Sequence, residues 1–202
     1  MRKQVYISAD YGENDGDREV VDLLNKWGND KLHKVDFVDM AKVASGTVAN
    51  DPDCRICDLK DEFNRQINAS SSVIFIVGDK TASRTAGNAC RKSEEYFQPV
   101  YCTPYKSNYG GKELCKLFFS NTYNDNDVSV INSYSYLRHE FEQAKKRNKK
   151  IIILFNSLRY EMDWLPSYME GYKQNVHPFW KKNYWGEKVG DYDYIKEVIG
   201  VD

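Results

Sequence analysis

The chain has 202 residues and is almost neutral, with 29 basic and 30 acidic side chains and a formal net charge of −1. That length suits one domain with a real core, and the charge balance excludes a global attraction to nucleic acid or to an anionic membrane surface. No apolar stretch approaches the roughly 18–20 residues that span a bilayer. The opening Met1, Arg2, Lys3 and Gln4 run straight into a strand. We therefore expect no secretory signal and a cytoplasmic protein. The densest basic run, residues 145–150, falls at the end of a predicted helix, where cations oppose the helix dipole. Five cysteines, an odd count, argue against a disulfide framework. Cys54 and Cys57 have the C-x-x-C spacing of zinc or redox sites. A zinc site needs two further ligands, though, and neither a second C-x-x-C nor an H-x-x-x-H pair exists. Free thiols and no metal are the expectation.

In chain order, residues 4–8 read as a short strand with Val5 and Ile7 apolar, followed by a polar stretch through Asp17. Asp17 is a good N-cap for a helix carrying Val20, Val21, Leu23, Leu24 and Trp27, and Gly28 with Asn29 stops it. Residues 35–38 are a second strand. Residues 40–52, with Ser, Gly, Asn and Pro, are a loop. A helical pattern then runs over 53–68, with Ile56, Leu59, Phe63 and Ile67 on one stripe. Residues 72–77 form a continuous apolar run, as in a strand buried on both faces. The order β-α-β-α-β with short apolar strands predicts a parallel sheet with helices on both faces. Ligands of such sheets bind beyond the carboxyl ends of the strands. The loops that matter are then residues 8–17, 39–52 and 78–85. No G-x-G-x-x-G follows the first strand and no phosphate-binding G-x-x-x-x-G-K-[ST] occurs anywhere, so dinucleotide dehydrogenases and P-loop nucleotidases both fall.

Residues 84–133 interrupt the alternation, and a structureless loop of that length is improbable in a compact domain. They read as an insertion covering one end of the sheet, serving as a lid, a specificity loop or an oligomer contact. A helix over 134–148 then feeds directly into a buried strand, 151–155. Leu137, Phe141 and Ala144 make its apolar stripe, with Arg138, Glu142, Lys145 and Lys146 on the wet side. Glu140 belongs to neither face. On the shoulder of the buried stripe it is placed either as a catalytic acid or as an ordinary flanking residue. After 156 the pattern weakens to an aromatic turn near Trp164, an edge strand over 176–180 containing Pro178, and a terminal helix over 191–199. These form a C-terminal extension, residues 157–202, packed on the same single domain.

Several of these residues stand together in a familiar order. Val5, Tyr6, Ile7 and Ser8 lead into Ala9, Asp10 and Tyr11. The apolar run of the third strand ends in Gly78, Asp79, Lys80 and Thr81. Tyr136, Leu137, Arg138, His139 and Glu140 precede the strand that starts Lys150, Ile151, Ile152. Over residues 4–83 and 134–156 this order resembles the TIR and TIR-like family, above all the bacterial TIR-like proteins of Thoeris anti-phage defence. The resemblance implies a flavodoxin-like α/β fold, with a parallel sheet of about five strands, and an activity that cleaves the nicotinamide–ribose bond of NAD+. It assigns Glu140 as the catalytic glutamate. It places Ser8, Asp10, Tyr11, Gly78, Thr81 and Tyr136 around the substrate, with Tyr136 standing where many members carry Trp. It also implies NAD+ as substrate with no further cofactor, a homo-oligomer, a phage-derived trigger, and a diffusible ADP-ribose-derived nucleotide that activates a separate effector.

The chemistry is compatible. Nicotinamide leaves NAD+ as a neutral base, so no strong general acid is needed, and the transition state resembles an oxocarbenium ion. One ionised carboxylate near the ribose stabilises that charge. Tyr136 either borders the ribose or is a plain packing aromatic. Arg18 or Arg84 either meets a pyrophosphate or is a solvated charge. The competing reading is a non-catalytic TIR-like module that assembles or senses a nucleotide. A third possibility is a nucleotide transferase of the same fold.

Overall fold

The computed structural model describes residues 2–10, 17–30, 35–39, 55–84 and 135–201, with the side chains of 55–58 and 61 left out. The elements are β1 (Lys3–Ser8), α1 (Asp17–Asn29), β2 (Val35–Asp39), α2 (Arg55–Ala69), β3 (Ser72–Val77), α3 (Tyr136–Lys146), β4 (Lys150–Phe155), β5 (Val176–Pro178), β6 (Trp180–Lys182), β7 (Lys188–Gly190) and α4 (Tyr192–Ile199). Short 3-10 turns cover Thr81–Ser83, Met162–Trp164 and Ser167–Asn175. Apart from Arg84, the expected 84–133 insertion lies outside the described residues, as do the loops around Tyr11 and 40–52, and Cys54.

Five strands pair in the order β2-β1-β3-β4-β5, every pair parallel. Strand order reverses beside β1, between β2 and β3, which is the flavodoxin arrangement. The fold is flavodoxin-like. β3 and β4 pair over their full length, from Ser72 opposite Lys150 to Val77 opposite Phe155. All six residues of β3 are buried, as the unbroken apolar run required.

Alternation along the strands builds two cores. Tyr6, Val73, Phe75, Val77, Ile151, Ile153 and Phe155 face α2, α3 and the 3-10 segment after β4. Val5, Ile7, Ile74, Ile76, Ile152 and Leu154 face α1 and α4. The C-terminal segment is therefore part of the sheet's architecture. It adds β5 as the parallel edge, with Val176 opposite Ile153, and it supplies half the cover of the second face through Ile195 and Ile199. Pro178 sits at that edge, where its missing N–H is tolerated. The single expected strand over 176–180 is two. The chain turns at Phe179, and Trp180 starts an antiparallel hairpin, β6–β7, outside the main sheet.

α3 is two residues shorter at each end than its apolar pattern suggested. Ser135 caps it by accepting from the Arg138 N–H at 3.0 Å. The helix stops where Asn148 enters the left-handed region (φ 51°) and the Lys149 N–H returns to the Ala144 carbonyl at 2.9 Å. From the basic run behind it, Lys149 Nζ donates to the carbonyls of Asn68 and Ser70, at 2.8 Å each, and closes the end of α2. Among the described residues no helix is long and apolar enough to cross a membrane.

Candidate active site

β1 carries two hydroxyls on one face, because Tyr6 and Ser8 are two residues apart on a strand. That face looks at α3. Tyr6 Oη donates to Glu140 Oε1 at 2.7 Å, and Ser8 Oγ donates to Glu140 Oε2. All three side chains are fully buried. Glu140 is thus part of the buried face of the helix, not on the shoulder where the apolar stripe places it. The buried face is wider than that stripe because α3 is covered on two sides, by the sheet and by α2. Its buried set is Leu137, His139, Glu140, Phe141, Gln143 and Ala144. On the α2 side His139 Nε2 lies 2.8 Å from Asn64 Oδ1. Lys60, one turn before Asn64, is also fully buried. His139 is therefore held to α2, next in sequence to Glu140 but pointed at a different partner.

Burial dominates the electrostatics. It pushes the Glu140 carboxyl up to about 8, against the hydroxyls of Ser8 and Tyr6, which favour the charged form. Asp10 pushes it further up and Lys60 pulls it down. Asp10, two residues beyond Ser8 and only 8% exposed, is itself raised to about 6. Burial is the main cause, opposed by Arg84 and reinforced by Asp17. The sequence chemistry assumed an ionised Glu140. Burial thus favours the protonated form of this carboxyl, and a positive charge placed beside it would favour the carboxylate.

The loop after β3 closes on itself. The Gly78 N–H donates to Thr81 Oγ1 at 2.9 Å, and the Thr81 N–H returns to the Gly78 carbonyl at 3.2 Å. A Cβ at Gly78 would lie 2.6 Å from Asp17 Oδ1, so a side chain there has to displace the Asp17 carboxylate. Asp17 is buried at the start of α1, accepts from Asn156 Nδ2 at 3.1 Å, and has a raised pKa, chiefly from burial. Asn156 Oδ1 in turn accepts from Trp180 Nε1 at 2.7 Å. The Gly78–Thr81 turn, α1, β4 and the β6 hairpin are thereby locked together at the carboxyl end of the sheet.

Of the residues expected at the site, Ser8, Asp10 and Glu140 come together, with Gly78 and Thr81 forming the neighbouring turn. Tyr136 packs edge-on against Phe63, ring centroids 5.9 Å apart, and borders the core. Tyr11 lies outside the described residues. Arg18 is exposed and pairs loosely with Asp22 at 3.8 Å, whereas Arg84 acts on Asp10. Arg138 is half-buried rather than on the wet side, with its guanidinium 5.3 Å from the centre of the Tyr168 ring.

Four members of the cluster went unread in the sequence. Tyr6 was recoverable as the second hydroxyl on an otherwise apolar strand. Lys60 and Asn64, four apart, interrupt the buried arc of α2 and carried the same kind of signal. Tyr168, delivered by the 3-10 segment after β4, carried none. Two cavities of about 540 and 420 Å³ flank the β6–β7 hairpin. The larger is lined by Leu23 and Trp27 of α1, on the opposite face of the sheet from Glu140.

No family model matches the sequence, and no curated protein matches it. Among solved structures the chain is similar to a prokaryotic SEFIR domain, at 14% identity and a TM-score of 0.43, over 98% of each chain. At that distance the likeness carries no argument, and the fold assignment rests on the strand order.

Proposed function

We propose that this chain is a TIR-like enzyme that cleaves the nicotinamide–ribose bond of NAD+, with Glu140 as the catalytic carboxylate. The observation that carries the reading is a buried carboxyl gripped on both oxygens by β1 hydroxyls, at the carboxyl end of a flavodoxin-like sheet. Such a group is held in one orientation and shielded from water, so it acts strongly on a nearby charge. NAD+ supplies that charge. Its pyridinium, bound beside Glu140, favours loss of the carboxyl proton. The resulting carboxylate then faces the positive charge that spreads to ribose C1′ and its ring oxygen as the C1′–N bond breaks. Nicotinamide departs with the bonding electron pair as a neutral base. The ribosyl cation is captured by water, by a nucleophile within the same molecule, or by a second acceptor, giving free, cyclic or conjugated ADP-ribose.

The wider setting rests on motif order alone. In it the product is a diffusible signal for a separate effector in bacterial anti-phage immunity, the enzyme acts as a homo-oligomer, and a phage-derived trigger releases it. One observation favours the non-catalytic alternative, a TIR-like assembly or nucleotide-sensing module. Glu140 is wholly enclosed, as a structural polar group would be.

Mass spectrometry of nucleotides after incubation with NAD+, alone and in lysate from phage-infected cells, separates the two. Nicotinamide release by the wild type that disappears in Glu140→Gln supports the enzyme, and the mass of the other product identifies the signal. Silence under both conditions, with Glu140→Gln still protecting cells, leaves the module.

A further inference from the structure

Beside Glu140 two polar atoms are shielded from solvent and have no hydrogen-bond partner among the described residues, Asp10 Oδ2 and Tyr168 Oη. An orphaned buried polar atom costs stability unless something else satisfies it. Neither arises from a loose side chain. Asp10 is 8% exposed at the end of β1. The Tyr168 ring is fixed between Phe141, with centroids 5.6 Å apart, and the Arg138 guanidinium. Their fields overlap with that of Glu140. After burial, which is the main cause, Asp10 and Glu140 oppose ionisation of the Tyr168 hydroxyl, whereas the Ser135 hydroxyl, acting as a donor toward Tyr168 Oη, favours it and leaves the Tyr168 O–H itself without an acceptor; Asp10 also raises the Glu140 pKa. Near neutral pH the Tyr168 O–H is therefore a donor, whereas Asp10, with its pKa raised to about 6, is mainly an acceptor.

We propose that Tyr168, delivered by the segment after β4, and Asp10, at the end of β1, form a donor–acceptor pair that binds the ribose hydroxyls of the substrate beside Glu140. A hydroxyl both gives and accepts a hydrogen bond, so a vicinal diol satisfies the two orphaned atoms at once. The carboxyl that acts on C1′ is felt electrostatically by both members of the pair, and the diol adjoins C1′. The inference rests on the proposed NAD+ chemistry. It adds a binding residue from a part of the chain where the sequence showed no site signal.

The test uses binding, so that turnover is not needed. Full-length Glu140→Gln is titrated calorimetrically with NAD+, with the analogue lacking the 2′-hydroxyl of the nicotinamide ribose, and with the analogue whose carboxamide is a carboxylate. Each titration is repeated with Tyr168→Phe or Asp10→Asn added. Removing one hydrogen bond to the substrate weakens NAD+ binding about tenfold, and the deoxy analogue is indifferent to at least one of the two substitutions. The melting temperature changes little in Tyr168→Phe, because the Tyr168 O–H donates to no described protein group. Equal weakening toward NAD+ and the deoxy analogue in both variants overturns the pair, as does a loss that follows the carboxamide instead. NAD+ cleavage by the wild type, with binding unaffected by Tyr168, overturns the pair and leaves the enzyme standing. Absence of both cleavage and binding overturns both.

Discussion

Burial stabilises Glu140 as an acid, whereas the proposed chemistry uses it as a carboxylate, and that tension is measurable. In the unfolded chain it ionises near the ordinary 4.5, and in the native state near 8. Between those values only the native state holds the proton, so stability falls as pH rises. Below about 4.5 both states are protonated and the penalty vanishes. Asp10, raised to about 6, adds a smaller penalty of the same sign as pH rises toward 6. Glu140→Gln removes the larger one. We expect this variant to melt above the wild type at pH 8–9, by on the order of a few kcal/mol, and to lose the advantage toward pH 5. Thermal melts across that range check it, and a deficit at alkaline pH would mean that the charge is not the penalty. Tyr6→Phe removes a bond that favours the charged form, so it should move the carboxyl's titration, read by NMR on the side-chain carbon, further upward.

At the scale of elements, the Gly78–Thr81 turn is held because the Gly78 and Thr81 backbone groups and the Thr81 hydroxyl bond one another, and because the Asp17 carboxylate occupies the space of a side chain at Gly78. Gly78→Ala forces the Asp17 carboxylate away from Asn156, and a destabilisation of about 1–3 kcal/mol is expected from denaturant midpoints. An unchanged midpoint would show that the turn yields freely. Most elements were legible in the sequence. β3 showed an unbroken apolar run, α1 a good N-cap, and α3 a helical stripe followed directly by a strand. Periodicity could not show that α3 is covered on two sides, which makes His139 and Gln143 interior residues. It marks one face of a helix, and a second buried face depends on which element lies alongside. The same limit placed Arg138 in solvent, although it lies over Tyr168.

For the molecule as a whole, the strand order β2-β1-β3-β4-β5 depends on the C-terminal segment. β5 and α4 look weak in sequence because they are short, at three and eight residues, and their burial comes from partners far away in the chain. α4 is closed by tertiary contacts. Gly200 ends it at φ 68°, and Lys3 Nζ donates to the carbonyls of Ile199 and Gly200 at 3.0 and 2.6 Å. Shortening the chain to residues 1–156 uncovers Ile152 and Leu154 on one side of β4 and removes its edge partner. Such a fragment is expected to lose cooperative thermal unfolding, as followed by circular dichroism. A sharp melt matching the full chain would show the extension to be dispensable. The site follows the same pattern. Ser8, Asp10 and Glu140 were readable from local order, whereas Lys60 and Tyr168 reach the cluster through packing of remote segments.

The most direct measurement is the pH dependence of kcat/KM for nicotinamide release from NAD+, in the wild type and in Glu140→Gln. If Glu140 acts as the carboxylate, the wild-type rate rises with pH and levels off above an apparent pKa near 8, the value set by burial in the free protein. The variant shows no release across the range. Release by Glu140→Gln at the wild-type rate, or a wild-type profile flat from pH 6 to 9, would contradict the assignment.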